Sequence, residues 1–386
     1  MRISRRSSLA FLSALLSLVL LFNGNLCFFN RRNILENENR SPTEFPTPTL
    51  YTWMYGENGA RIDDFLGDRF PFRGRLLSLK QSIDRLFTGE SNNILFTSDG
   101  YLVDQCHDNV AAQTLLHRNL EALDELMGHF STHGIPSSFY LAPRTIDVVT
   151  TSLPKAFTDT HSIASSLTEA KLVDLSPLLR DLHSAGISVM YKTDHHWTTL
   201  GAYHAYTAIC PALGITPYPM DDFERIKIKS NFIGTTQAHS GCLVSEIKAP
   251  DTIELFRYQG DDCFTVTIHD TKETRKGLYC EKYLFTKDAY RVFLGGNFGR
   301  VSIKFEESAV PLRPRLLLVK DSFALSLLPF LLRHYDIDLI DPRYDTEASL
   351  SALLAENAFD CALILLGKDT IASSATIHRW CRRAVK

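Results

Sequence analysis

The sequence predicts an α/β protein, a parallel β-sheet flanked by helices and interrupted by a β-rich insertion. Three observations lead to this fold class. The composition of the 386 residues, 45% hydrophobic and 22% charged, is that of a folded globular chain. Short apolar strands alternate with helical segments, which is typical of parallel sheets covered by helices on both faces. Between about residues 222 and 311 the pattern changes to β-forming residues separated by turn residues, which predicts the insertion.

The charge balance excludes one class of function. The chain has 41 basic and 44 acidic residues, a formal net charge of -3. Such a balance lacks the positive surface that binds nucleic acid, so we expect no nucleic-acid partner.

The N-terminus predicts an exported protein. The basic start MRISRR precedes an apolar run from Leu9 to Phe22, which is interrupted only by serines. We interpret residues 1–29 as a signal peptide or an N-terminal membrane anchor, so that the body is extracytoplasmic and either anchored or secreted. Residues 30–59 are polar and contain prolines, which predicts a stalk, and residues 60–386 form the main globular domain in this interpretation.

The first half of the domain contains two helix–strand alternations. Leucines recur at helical spacing in Leu115–Phe130, and further helices are predicted at residues 175–186 and at Gly201–Leu213. Buried strands are predicted at Ser138–Ala142 and Ile187–Tyr191.

The insertion and the C-terminal part provide the remaining elements. The insertion contains four predicted strands: Thr252–Arg257, Cys263–His269, Ala289–Leu294 and Val301–Phe305. After it, three strands (Arg315–Val319, Ile337–Ile340 and Cys361–Leu366) alternate with two helices (Phe323–His334 and Ala348–Glu356).

The eight cysteines show no CxxC pair and no Cys/His spacing typical of zinc sites, so no metal is predicted. Cys242, Cys263 and Cys280 lie in the β-rich stretch, where one disulfide among them is an open alternative. The pairing cannot be deduced from spacing.

Two stretches contain the residue types of nucleophilic catalysis. Asp194, His195 and His196 follow the predicted strand Ile187–Tyr191, and Ser322 lies where the strand Arg315–Val319 gives way to a helix. Ligands of parallel sheets bind at the carboxyl ends of strands, so both stretches are expected at one edge. A serine hydroxyl needs a base with an orienting partner, which a histidine and an aspartate supply. The alternatives are a helix-capping role for Ser322 and a metal or structural role for the histidines.

Several motifs of the sequence resemble those of a known family. The run TDHHWT resembles the signature of the DHHW protein family, which is similar to the SGNH-hydrolase-like O-acetylation proteins of the alginate acetylation group. Further segments resemble successive blocks of the family, among them YLAPRTIDV, FIGTTQAHSG, VFLGGN and VKDSFALSLLPFLLRHYDIDLIDPRY. The resemblance covers most of the body and implies an SGNH-hydrolase-like fold.

The resemblance also implies roles for individual residues. The D-x-H arrangement of the relatives corresponds to Asp194 and His196, and their nucleophile corresponds to Ser322. On chemical grounds His196 then accepts the serine proton, and Asp194 orients the imidazole. His195 is expected to point to the opposite face if the segment is extended, which leaves it as a substrate-site candidate. Trp197 is expected to pack under the loop, and Asp321 to cap the turn.

The residues that stabilise an oxyanion are less closely defined by the pattern. The Ser322 N–H is one candidate donor. Gly295, Gly296 and Asn297, which follow the predicted strand RVFL, are further candidates, and a plain turn between strands of the insertion is the alternative.

The leading functional hypothesis is an exported serine O-acyltransferase that acetylates hydroxyls of a cell-surface or secreted polysaccharide through an acyl-serine. Its expected partners are a glycan acceptor, the membrane through the N-terminus and, as the resemblance implies, a membrane-bound acyl-transferring protein. No cofactor is expected. A carbohydrate acetylesterase and a non-catalytic glycan-binding or assembly protein are the alternatives.

Overall fold

The computed structural model describes residues 11–17, 20, 24, 41–47, 57–70, 72–105, 110–149, 167, 171–243, 247, 249–306, 313–346, 350, 353–354 and 359–385. Most of the predicted signal or anchor, most of the stalk and most of the predicted helix Ala348–Glu356 lie outside these residues. Among the residues that are described, no helix is both long enough and apolar enough to cross a membrane.

The chain divides into two compact units. The first comprises residues 1–94 and 237–246, and the second comprises residues 95–236 and 247–386. In the first unit, Ser91 and Asn92 donate side-chain hydrogen bonds to the carbonyls of Ser240 and His239, which joins the two parts of that unit.

The described helices, in chain order, are α1 (Glu57–Asp68), α2 (Arg73–Thr88), α3 (Val110–Thr132), α4 (Thr145–Val149), α5 (Ser176–Ser184), α6 (Thr199–Ile209), α7 (Thr235–Ser240), α8 (Leu328–Leu331), α9 (Lys368–Ser373) and α10 (Ile377–Ala384). The strands are β1 (Glu90–Ser91), β2 (Ile94–Phe96), β3 (Leu102–Asp104), β4 (Ser137–Ala142), β5 (Leu172–Asp174), β6 (Glu224–Phe232), β7 (Asp251–Arg257), β8 (Phe264–Ile268), β9 (Glu273–Lys276), β10 (Arg300–Phe305), β11 (Arg315–Lys320), β12 (Asp336–Ile340) and β13 (Cys361–Gly367).

The second unit is built on an eight-stranded sheet with the order β5-β4-β13-β11-β12-β10-β8-β9. The five strands from β5 to β12 are parallel, as predicted, and β11 lies among them between β13 and β12. Strands β10, β8 and β9 of the predicted insertion continue this sheet in antiparallel pairing. The other two insertion strands, β6 and β7, pair with each other.

The central strands β11, β12 and β13 are buried on both faces, and their side chains alternate between the two. On β11, Leu316 and Leu318 face the core cluster that contains Phe330. Leu317 and Val319 face the second cluster, with Phe130 of α3 among its members. The continuous apolar run of this strand thus reflects burial on two sides.

Three predicted elements differ from the structure. Ile187–Tyr191 is no strand of the sheet: within it, Met190 forms only an isolated bridge, with Trp197. Residues Ala289–Val292 form a 3₁₀ turn where a strand was predicted. The predicted helix Phe323–His334 is a 3₁₀ turn, Ser322–Ser326, followed by the short α8. Pro329 lacks the N–H that a continuous helix would donate backward at this point.

No disulfide joins the described cysteines. Cys242, Cys263 and Cys280, the three among which a bridge was an open alternative, are all free thiols.

Candidate active site

Ser322 lies directly beyond the carboxyl end of β11, in the middle of the parallel part of the sheet, and is half-buried. Asp321, which precedes it, is fully buried and accepts hydrogen bonds from the Phe323 N–H (3.0 Å) and the Gly367 N–H (2.6 Å). Asp321 therefore caps the turn, as expected, and connects it to the end of β13.

The segment with Asp194 and His196 is a loop held by hydrogen bonds. The Tyr191 N–H donates to the His196 carbonyl (3.1 Å), which closes the loop on itself. The buried Asp251, at the start of β7, accepts from the backbone N–H groups of Lys192 (2.7 Å) and Thr193 (2.8 Å). A single carboxylate thus fixes the backbone immediately before Asp194.

The structure brings the three predicted catalytic residues together. The Nε2 atom of His196 lies 2.7 Å from the Ser322 Oγ, and its Nδ1 atom lies 2.5 Å from Oδ1 of Asp194. Asp194 is 1% exposed and His196 4%, so water has little access to either hydrogen bond. This is the arrangement in which a carboxylate orients an imidazole that can accept a serine proton.

Thr235, in a neighbouring segment, completes the hydrogen bonding of the Asp194 carboxylate. Its Oδ2 atom accepts hydrogen bonds from the Thr235 N–H (2.8 Å) and hydroxyl (3.0 Å). Burial acts to raise the pKa of Asp194, but the neighbouring histidines and the hydrogen bonds from His196 and the Thr235 N–H hold this pKa well below its ordinary value. Asp194 is therefore the ionised member of the site.

Because Gly234 has no side chain, the segment that contains Thr235 can lie directly against Asp194. A Cβ atom at this position would lie 2.2 Å from the Cβ of Asp194 and 2.4 Å from its Oδ2. The Gly234 N–H also donates to the Thr193 hydroxyl (3.0 Å). This role was not predicted from the block FIGTTQAHSG, in which a glycine followed by two threonines was the available signal.

Aromatic residues hold the His196 ring in place. Tyr290 stacks on it with ring centroids 4.0 Å apart and planes 7° apart, and its hydroxyl donates to the Ser326 Oγ (3.1 Å). Trp197 is fully buried and donates to the Phe323 carbonyl (3.1 Å). The predicted packing role of Trp197 is thus confirmed, whereas the contribution of Tyr290 was not predicted.

His195 lies beside His196, and the expectation that the two point to opposite faces is wrong. Their ring centroids are 3.9 Å apart because the loop bends here instead of continuing as a strand. The Nδ1 atom of His195 lies 2.8 Å from the Thr235 Oγ1, and 42% of its side chain is exposed. Burial of its inner edge and the neighbouring His196 lower its pKa. His195 thus lies at the mouth of the site.

The residues predicted to stabilise an oxyanion differ in whether they have an N–H group that is free to donate a hydrogen bond. Within the described residues, the backbone N–H of Ser322 has no hydrogen-bond acceptor. Gly295 is already committed, because its N–H donates to the Arg291 carbonyl (2.9 Å). Oδ1 of Asn297 accepts from the Lys320 Nζ (2.9 Å), and no acceptor in the described part of the chain binds its amide N–H₂. Of these candidates, Ser322 and Asn297 keep N–H groups that are free to donate, whereas the Gly295 N–H is not free.

Lys320 is itself fully buried and pairs with Asp341 at the end of β12 (3.1 Å). Asp341 also binds Arg343 (2.8 Å). Burial acts to lower the pKa of Lys320, and the Asp341 carboxylate opposes this effect. Through Lys320, this ionic group holds the oxygen of the Asn297 amide. Gly296, the remaining candidate, has a φ of 124° that favours glycine.

Among the described residues, Asp194, His195 and His196 form one group of metal-ligand type, with one ligand atom of each within 4.8 Å of the others. Both ring nitrogens of His196 are already hydrogen-bonded, to Asp194 and to Ser322. A metal on this residue would displace one of these partners, so the donor set fits proton transfer better than metal binding.

The fold and the site define an α/β protein with an SGNH-hydrolase-like sheet and a serine, a histidine and an aspartate in contact. The sequence matches the DHHW protein family over residues 176–340. The resemblance inferred from TDHHWT is therefore confirmed.

Two solved proteins, a DHHW family protein and PatB1, share this fold. A DHHW family protein from Eubacterium siraeum superposes with a TM-score of 0.63 at 18% identity, covering 76% of this chain and 96% of the other. PatB1 of Bacillus cereus, solved with a sulfonyl adduct, gives a TM-score of 0.60 at 16% identity, covering 74% and 97%. The O-acetyltransferase domain of Pseudomonas putida AlgJ superposes less closely, with a TM-score of 0.46 at 15% identity, covering 76% and 98%. No curated protein matches the sequence.

Proposed function

We propose that the protein is an exported serine O-acyltransferase that transfers acetyl groups to hydroxyls of a cell-surface or secreted polysaccharide. The observation that carries the proposal is the contact of His196 with both Ser322 (2.7 Å) and Asp194 (2.5 Å). The resemblance to the alginate acetylation group supports the choice of acetyl group and glycan.

In the first half-reaction, the Ser322 Oγ attacks the carbonyl carbon of the acyl donor while His196 accepts the serine proton. Asp194 stabilises the imidazolium that forms. The negative oxygen of the tetrahedral intermediate is stabilised by the Ser322 N–H and the Asn297 amide. The leaving group departs with the proton from His196, and an acyl-serine remains.

In the second half-reaction, a glycan hydroxyl attacks the acyl-serine and gives its proton to His196. The bond between the carbonyl carbon and the Ser322 Oγ breaks, and Oγ recovers the proton. If water attacks instead, the same residues act as an esterase. The acceptor that resolves the acyl-serine therefore distinguishes the two activities.

The experiment that tests the proposal incubates the protein with a chromogenic acetyl ester, with and without glycan acceptors. Intact-mass analysis should find one acetyl group on Ser322, and acetylated glycan should accumulate when acceptor is present. Release of acetate only would indicate the esterase. Absence of any acyl-serine would contradict the proposal and favour the non-catalytic glycan-binding alternative.

The membrane location and the acyl-transferring partner are part of the same proposal. The apolar run Leu9–Phe22 supports an N-terminal attachment, and the resemblance to the acetylation group supports a membrane protein as acyl source.

A further inference from the structure

The first histidine of the DHHW run, His195, has a tautomer that its hydrogen bonds determine. Asp194 is ionised, so its Oδ2 only accepts, and the Thr235 hydroxyl must donate to it (3.0 Å). The Thr235 Oγ1 then has only lone pairs left for the Nδ1 atom of His195 at 2.8 Å. The proton between them therefore belongs to Nδ1 of His195.

This assignment leaves Nε2 of His195 as a hydrogen-bond acceptor. A neutral imidazole protonated at Nδ1 has a lone pair at Nε2. Within the described residues no group donates to this atom, and 42% of the side chain is exposed. The ring lies 3.9 Å from the His196 ring, centroid to centroid. His195 thus offers a hydrogen-bond acceptor, its Nε2 atom, on a ring that lies beside the general base His196.

We propose that Nε2 of His195 binds a second hydroxyl of the acceptor, adjacent to the hydroxyl that is acylated. This assignment rests on the proposed transferase function and specifies its substrate class as vicinal diols, such as those of sugars. The attacking hydroxyl still gives its proton to His196, while the neighbouring hydroxyl donates a hydrogen bond to His195 and keeps its proton. Water and simple alcohols have only one hydroxyl and lose this second contact.

The test compares 1,2-propanediol with 1-propanol as acceptors, with a chromogenic acetyl ester as donor. The natural sequence should acylate the diol more efficiently, and His195→Leu should lower this preference about 3- to 10-fold, the effect of one hydrogen bond. Thr235→Val should also lower the preference, because without the hydroxyl the proton of His195 is no longer held at Nδ1 and Nε2 is no longer a fixed acceptor. Thr235→Ser keeps the hydroxyl and should restore most of the preference. An unchanged preference in His195→Leu would overturn the inference.

Failure of the proposed function gives a different result. If the natural sequence forms no acyl-serine, both proposals fail together. If it forms the acyl-serine and transfers the acetyl group, but without preferring the diol, only the role of His195 is refuted.

A separate observation concerns α2 in the first unit. Six large apolar side chains on it, or directly before it, are exposed: Phe72, Leu76, Leu79, Ile83, Leu86 and Phe87, the last at 81%. At 3.6 residues per turn they lie within an arc of about 100°. The buried residue of the helix is the polar Ser78. The helix therefore presents its apolar side outward, and we call these six residues the apolar stripe.

Cations border the apolar stripe. Arg75 lies at one margin and Lys80 at the other, and both are exposed, although Lys80 also pairs with Asp84 (2.6 Å). Over Arg73–Thr88 there are four basic residues and one acidic residue. Apolar side chains between long cationic ones are typical of helices that lie in the interface of an anionic bilayer. We infer that α2 binds the surface of an anionic membrane through the apolar stripe.

The test places tryptophan in the stripe of the full chain, as Phe87→Trp. In vesicles with phosphatidylglycerol, brominated acyl chains should quench its fluorescence beyond the background of the unmodified chain. Thr88→Trp, about 150° from the centre of the stripe, is the control and should be quenched much less. Equal quenching at both positions, or none at position 87, would overturn the inference. If the new indole at position 87 is already shielded from water without lipid, a protein partner or a second copy covers the stripe instead.

Discussion

At the residue scale, the site depends on one imidazole held between two oxygen atoms. The His196 ring is oriented by Asp194, stacked by Tyr290 and directed at Ser322. Each partner constrains a different degree of freedom of the ring. Changes of single atoms should therefore have large effects on turnover and small effects on folding.

Ser322→Ala should abolish both ester turnover and labelling by a serine-directed fluorophosphonate, because attack requires the hydroxyl. Folding should survive, since the change removes no apolar core volume. Labelling of the natural sequence, located by mass spectrometry, is the control. Normal acyl transfer by Ser322→Ala would place the nucleophile elsewhere.

His196→Ala should abolish turnover of a chromogenic ester, whereas His195→Ala should retain a large part of it. His196 contacts Ser322, whereas His195 contacts Thr235. Steady-state rates without added acceptor, with circular dichroism to check folding, make the comparison. Complete loss from both changes in folded proteins would refute the assignment of the base.

Asp194→Asn should lower turnover severely, by about 10⁴-fold if it follows the corresponding change in serine proteases.

The same substitution should also change how the stability of the protein depends on pH. The pKa of Asp194 is lowered in the folded state, so its stabilising contribution is present above about pH 4 and is lost as the pH falls toward the folded pKa. The difference in Tm between the natural sequence and Asp194→Asn should therefore shrink on acidification below about pH 4. A difference that grows there would contradict the ionised state of Asp194.

At the element scale, the loop around Gly234 is what closes the site. It reaches from the end of β6 to α7 and places the Thr235 N–H on Asp194. The two partners are 41 residues apart in sequence, so no local pattern connects them. The loop can approach this closely only because position 234 has no side chain.

Gly234→Ala should therefore disrupt the site. The new Cβ would lie 2.2 Å from the Cβ of Asp194, which forces either the loop or the carboxylate to move. We expect a loss of about 1–3 kcal/mol in unfolding free energy and most of the ester turnover. Gly67→Ala is the matched control, because no atom lies within 4 Å of its added Cβ. It should keep both the unfolding free energy and the ester turnover of the natural sequence. Normal turnover in Gly234→Ala would show that the loop adapts.

At the scale of the whole molecule, the predicted N-terminal attachment would determine where the proposed acyl chemistry takes place. The apolar run Leu9–Phe22 is the strongest hydrophobic segment of the chain, and the serine site lies far along the sequence from it. An attached protein would act near the membrane, close to a membrane source of acyl groups.

Full-length protein should remain with membranes during carbonate extraction, and deletion of residues 1–30 should release it, because the apolar run is the predicted attachment. The released protein should keep its ester turnover, since Ser322 and His196 belong to the second unit. Recovery of a soluble mature protein that begins near Asn30 would establish a cleaved signal instead of an anchor.

The sequence by itself determined the alternation of strands and helices, the turn that displays Ser322 and the pair Asp194 and His196. These depend on local periodicity and on short motifs, which are readable in a single chain. The errors have local causes as well. Ile187–Tyr191 is apolar because it is buried in the core, and apolar runs of this length do not distinguish a sheet strand from a buried loop.

Only the tertiary structure decided how these parts act together. His196 and Ser322 are 126 residues apart, and Thr235 reaches Asp194 from a third segment. The tautomer of His195 follows from that contact, as does the exposed lone pair at its Nε2. Side-chain partners across such separations are selected by packing in three dimensions. No spacing in one sequence encodes which hydroxyl will meet which carboxylate, so the chemistry of His195 became visible only in the folded chain.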